Sequence, residues 1–121
     1  MKREELINLL SVATYGSDWL EIRTLKKDAS DADPLFETRE DRWVHRLLEG
    51  KQIVCIDWFE DEDKPTRYYI TLEDIKRGLA KARNGEAPRD YWDWFNETSN
   101  MDYDTCSNLM QVIIHGEVIY G

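Results

Sequence analysis

The residues able to do chemistry in this chain are few and scattered, apart from its carboxylates. There are two histidines, His45 and His115, 70 positions apart, and two cysteines, Cys55 and Cys106. A nucleophile–base pair or triad needs a base held within hydrogen-bond reach of an activated hydroxyl or thiol. No motif of that kind surrounds either histidine: His45 sits beside Arg46 and His115 precedes Gly116. Both cysteines lie in apolar segments and read as buried free thiols. A zinc site built from two cysteines and two histidines would need close-spaced ligand pairs, which the spacing denies. Asp28, Asp31 and Asp33 have the spacing D-x-x-D-x-D. A calcium loop of the EF-hand kind needs D-x-D-x-D-G, with a glutamate at the twelfth position, which here is Arg39. There is no glycine-rich phosphate loop. The expectation is therefore no catalytic residue, no metal site and no cofactor.

Carboxylates are the exception. Glu60-Asp61-Glu62-Asp63 is the densest charge run, and four adjacent like charges repel one another and stay in water. The C-terminal third continues the theme. Between Asn84 and Gly121 stand Glu86, Asp90, Asp93, Glu97, Asp102, Asp104 and Glu117 against the single cation Arg89, interleaved with Tyr91, Trp92, Trp94, Phe95 and Tyr103. Carboxylates spaced along a face can imitate DNA phosphates toward a DNA-binding protein, and aromatic side chains among them supply contact area. The same pattern arises from ordinary core packing, which suits Trp92 and Phe95 at a spacing of three. Trp94 then points elsewhere. The candidate partner-binding residues are Glu60, Asp61, Glu62, Asp63, Asp90, Asp93 and Trp94.

The elements that must hold these residues follow from periodicity. Leu6, Ile7, Leu10 and Ala13 recur at helical spacing over residues 3–14, with Leu9 and Val12 widening the stripe and Gly16 ending it. Trp19 to Thr24 alternates, Leu20 and Ile22 against Glu21 and Arg23, as a half-buried strand does. Leu25 to Thr38 is polar and reads as a long loop. A helix over 40–49 carries Trp43, Val44, Leu47 and Leu48 on one face and stops at Gly50. Lys51 to Glu60, rich in Ile, Val, Cys, Trp and Phe, reads as a central strand. An acidic hairpin loop, 61–65, leads to a returning strand from Arg67 to Thr71.

Thr71 can cap a helix over 72–83, whose apolar face is Leu72, Ile75, Leu79 and Ala82. A short helix begins at Pro88. Asp102 or Asp104 caps the last helix, in which Cys106, Leu109, Met110 and Ile113 share a face before Gly116. Val118-Ile119-Tyr120 is expected to dock, with an edge strand as one way of doing so. The order α-β-α-β-β-α-α-α predicts a single α+β domain over 1–121, with a small, mostly antiparallel three-stranded sheet packed against several helices.

Composition bounds the partners. Charged residues make up 34%, too many for a membrane protein, and no apolar stretch approaches a bilayer span. No secretory leader pattern follows Met1, so a cytoplasmic location is expected. A net charge of −9 argues against a direct grip on nucleic acid, which needs lysine and arginine, and allows attraction to a basic partner.

Three stretches carry a resemblance: Gly16-Ser17-Asp18-Trp19-Leu20-Glu21-Ile22 after the first helix, Leu72 to Ala82 after the acidic hairpin, and Leu109 to Gly121 at the end. Together they resemble a loosely defined family of small uncharacterised proteins carried by bacteriophages and mobile elements of gut bacteria. Its members have an N-terminal helix, a glycine-serine-aromatic turn and a last helix ending in a Gly-Glu-aliphatic-Tyr-Gly tail. His115 stands where an aromatic residue is expected, and the turn has one aromatic residue instead of two. The resemblance marks Gly16, Trp19, Gly116 and Tyr120 as turn and packing positions and brings no catalytic residue. It implies a genomic setting, that of a phage or mobile-element accessory protein. For such a protein, the acidic charge and the lack of a catalytic constellation lead to the expectation that it binds a basic host protein, of the nucleic-acid-binding kind, and inhibits host defence or DNA handling. The alternative is a small-ligand binder, a sponge for a nucleotide signal, in which Arg67, Arg42 or Lys51 faces phosphate and aromatic residues stack on the base.

Overall fold

The computed structural model describes residues 2–25, 38–84 and 102–120. In chain order the elements are α1 (Arg3–Thr14), β1 (Leu20–Thr24), α2 (Arg39–Leu48), β2 (Ile53–Asp57), β3 (Thr66–Ile70), α3 (Leu72–Arg83) and α4 (Tyr103–His115). This is an α+β architecture in the expected order. The short helix expected after Pro88 and the aspartate-rich segment 28–33 lie outside the described residues. The chain divides into two compact units, one of Gly16–Leu72 and one of Met1–Tyr15 with Glu73–Gly121.

The first unit holds the sheet. Its strands run antiparallel in the order β1-β2-β3, with Ile22 opposite Cys55 and Cys55 opposite Tyr68. All five β2 residues are buried, which explains why Ile53 to Ile56 is an unbroken apolar run: a central strand covered on both faces needs no alternation. In β1, which lies at an edge, Leu20 and Ile22 are buried and Arg23 is exposed, as its alternation predicts. Helix α2 packs on β1 and β2 through Trp43, Val44 and Leu47. Its start is fixed by Thr38, whose hydroxyl accepts the amide of Asp41 at 3.2 Å.

Two expectations fail here. Leu48 is 47% exposed, while Arg46 is buried, so the inward face of α2 is rotated from the one drawn through Leu48. The second concerns β2, which ends at Asp57 instead of Glu60. A carboxylate oxygen of Asp57 accepts the amides of Phe59 at 2.8 Å and Glu60 at 3.1 Å, and this turns the chain out of the sheet.

The second unit is helical. The buried stripe of α1 is Leu6, Leu9, Leu10 and Ala13, the i, i+3, i+4, i+7 set. Ile7 and Val12 are only half-buried, so the stripe is centred nearer Leu9 than the sequence suggested. This face packs on α4. Helix α3 buries Ile75, Gly78, Leu79 and Ala82. A glycine inside a helix is unfavourable by about 1 kcal/mol relative to alanine. At Gly78 it permits close packing: a Cβ there would lie 2.5 Å from Ile113 Cγ1 and 2.7 Å from Ile113 Cα.

Helix α4 begins at Asp102, whose carboxylate accepts the Thr105 amide at 2.8 Å. It ends at Gly116, where φ is +81°, a left-handed conformation that glycine adopts without steric cost. The segment beyond does dock, but by side-chain hydrogen bonds instead of joining the sheet. The buried Gln111 carboxamide oxygen accepts the amides of Ile119 at 2.9 Å and Tyr120 at 2.8 Å.

Candidate partner-binding surface

The connection between β2 and β3 brings Glu60, Asp61, Glu62 and Asp63 together. It is built outward from Asp57, which is fully buried and whose carboxylate sets the turn just described. Trp58 is still tied to the sheet. Its amide donates to Trp19 O at 2.9 Å, and its indole Nε1 donates to Glu21 Oε1 at 3.2 Å. Trp58 is nevertheless 47% exposed, and Phe59 is 51% exposed. Two large aromatic surfaces thus stand directly before four carboxylates.

The carboxylates are braced locally. Glu60 accepts a hydrogen bond from the Tyr68 hydroxyl on β3, and an Asp61 oxygen accepts the Asp63 amide at 2.9 Å. Glu60, Glu62 and Asp63 are exposed and Asp61 is half-buried. Burial pushes the Tyr68 phenol up to about 12, helped by its hydrogen bond to Glu60 and by the negative charges of Glu60 and Asp57. Tyr68 therefore remains a neutral donor to Glu60 at any physiological pH. The nearest cation in sequence, Lys64, is exposed, so four carboxylates face water beside one ammonium. Chemically, this surface offers acceptor oxygens for guanidinium or ammonium groups, together with aromatic faces on which such groups or apolar side chains can rest.

The remaining sequence-predicted binding residues, Asp90, Asp93 and Trp94, lie outside the described residues. Of the cations considered for a small anionic ligand, Arg67 and Lys51 are exposed and Arg42 is half-buried. His45 pairs with Glu49 at 2.8 Å along the outer side of α2. His115 meets the Tyr120 ring edge-on, with centroids 6.1 Å apart. Cys55 and Cys106 are free and buried. Burial pushes the Cys55 thiol up to about 12 and does the same for Cys106, with the Asp102 charge adding to it. Burial thus disfavours the thiolate, the nucleophilic form, at both sulfurs.

Sequence reasoning missed the exposure of Trp58 and Phe59, which it assigned to β2. The signal was Asp57 itself: an aspartate closing an apolar run and followed by acidic residues can accept the amides two and three positions on and so end the strand. Comparison of the chain with protein families, with curated proteins and with solved structures gave no match.

Proposed function

We propose that this chain is a small acidic binding protein of phage or mobile-element origin, one that inhibits a host defence or DNA-handling protein in the host cytoplasm. On this reading it binds and does not catalyse. Its target is a basic protein, of the kind that itself holds nucleic acid, and the chain contacts no nucleic acid directly. The observation that carries the reading is the grouping of Glu60, Asp61, Glu62 and Asp63 on a braced turn beside the exposed rings of Trp58 and Phe59. Carboxylates attract a basic surface over roughly the Debye length, about 10 Å at 0.1 M salt. Aromatic rings contribute contact area that salt does not screen. Asp90, Asp93 and Trp94 extend the acidic-aromatic character into the C-terminal third.

In support, no helix among the described residues is long and apolar enough to cross a membrane. The test is capture from host lysate with the intact protein at low and at high salt. It is run beside a variant carrying Asp61→Asn, Glu62→Gln and Asp63→Asn. A basic partner retained at low salt, weakened at high salt and lost in the variant is the expected result. Recovery of no basic partner at either salt refutes the proposal.

A further inference from the structure

The segment after α4 is attached in an unusual way. The chain turns back at Gly116, and the consecutive amides of Ile119 and Tyr120 converge on a single oxygen, Gln111 Oε1. Two successive N–H groups pointing at one acceptor form a small nest, an arrangement that suits an electron-rich oxygen. Gln111 lies in the interior of α4 and is 2% exposed, and its Nε2 donates to Asn108 Oδ1 at 3.3 Å. Two further side chains hold the turn: Lys81 Nζ donates to Gly116 O at 3.0 Å, and the His115 ring meets that of Tyr120 edge-on. Ile119 remains 43% exposed, and no strand pairing holds residues 117–120.

We infer that residues 117–120 form a releasable strap, closed onto α4 through the Gln111 carboxamide and opening as a unit while α4 stays folded. The helix and the strap are held by different forces. Helix α4 is secured by a core of Cys106, Leu109, Met110, Val112 and Ile113, all buried, whereas none of residues 117–120 is buried and their contacts include the hydrogen bonds to Gln111 and the edge-on His115–Tyr120 pair. Segments with few buried apolar contacts open at far lower free energy than core helices. Gly116, at its positive φ, is the joint at which the strap swings. Opening strips Gln111 Oε1 of both donors and bares an acceptor that the closed strap shields, so the strap is a shutter over this part of α4.

Native-state hydrogen exchange on the whole chain tests this, at rising but sub-denaturing denaturant concentrations, for the wild type and Gln111→Met. In the wild type the Ile119 and Tyr120 amides should exchange about tenfold to a hundredfold more slowly than in an unfolded chain, the protection expected of a few modest hydrogen bonds. That exchange should be insensitive to denaturant, while the Met110 and Val112 amides exchange far more slowly. In Gln111→Met the protection at Ile119 and Tyr120 should vanish and that of α4 should persist. Unprotected strap amides in the wild type, or strap amides exchanging together with α4, would overturn the inference, as would protection that survives Gln111→Met. If Gln111→Met fails to fold, the wild-type measurement still decides. Lys81→Met then serves as the second variant, with partial loss of strap protection expected and no change at the strap counting against the inference.

Discussion

The hydroxyl of Tyr68 donates to the carboxylate of Glu60, joining the third strand to the first residue of the acidic run. This bond fixes where the run begins, and it ties the protonation of a tyrosine to the charge of a glutamate. Burial is the larger cause of the high Tyr68 pKa, and Glu60 adds to it. In an alkaline absorbance titration, one tyrosine should therefore ionise near 12. In Glu60→Gln it should ionise earlier but still above 10, because the burial contribution remains. Linkage gives the sign for stability. A folded-state pKa raised above the unfolded value of about 10 contributes stability that is complete below pH 10 and is lost as pH rises through about 12. Tyr68→Phe should flatten that alkaline loss at a cost of about 1 kcal/mol near neutrality.

At the start of α4, hydrogen bonds from Thr105 hold the Asp102 carboxyl below its usual value of 3.8. A depressed folded-state pKa contributes stability that is present above 3.8 and is lost as pH falls through the lower folded value. Asp102→Ala should destabilise the fold by about 1 kcal/mol. Asp102→Asn should retain most of the cap while removing this acid-side dependence. Thermal melts followed by circular dichroism between about pH 2 and about pH 7, which bracket the carboxyl, separate the two variants.

Gly78→Ala is expected to destabilise the protein although alanine is the better helix former. The added methyl collides with the Ile113 backbone as well as its side chain, so helices α3 and α4 must separate locally. Overpacking of this kind costs about 1–3 kcal/mol. Adding Ile113→Ala should restore little of the loss, because the 2.7 Å approach to Ile113 Cα remains. Urea denaturation of the single and double variants measures both quantities.

Thiol reagents should modify neither Cys55 nor Cys106 in the folded protein at pH 8, roughly half a unit below the ordinary cysteine pKa, and should modify both in denaturant. Burial excludes the reagent and disfavours the thiolate. Rapid labelling of either residue under native conditions contradicts the structure.

Element order was readable from periodicity because buried positions repeat. Leu6, Leu10 and Ala13 mark one helix, Cys106, Leu109, Met110 and Ile113 another, and the unbroken run of Ile53 to Ile56 marks a central strand. Gly16, Gly50 and Gly116 all have positive φ at the ends of helical segments, as their positions implied. What could not be read depends on single side chains acting across the local pattern. Apolar composition carried β2 as far as Glu60, whereas the Asp57 carboxylate stops it earlier. Helical spacing grouped Leu48 with Leu47, yet α2 buries Arg46. The apolar character of Val118 and Ile119 announced docking but could not name Gln111, a polar residue on a buried face, as the receptor. The Glu60–Asp63 run was legible as exposed charge, whereas the neighbouring aromatic faces became visible only with the turn.

The two anchors of the acidic turn, Asp57 and Tyr68, both lie outside residues 61–64. Among residues 61–64, the exposed side chains of Glu62, Asp63 and Lys64 are not used by either anchor. Charge and side-chain size at 62–64 can therefore be exchanged by design with no rebuilding of the frame beneath, while Asp61, which accepts the Asp63 amide, is kept.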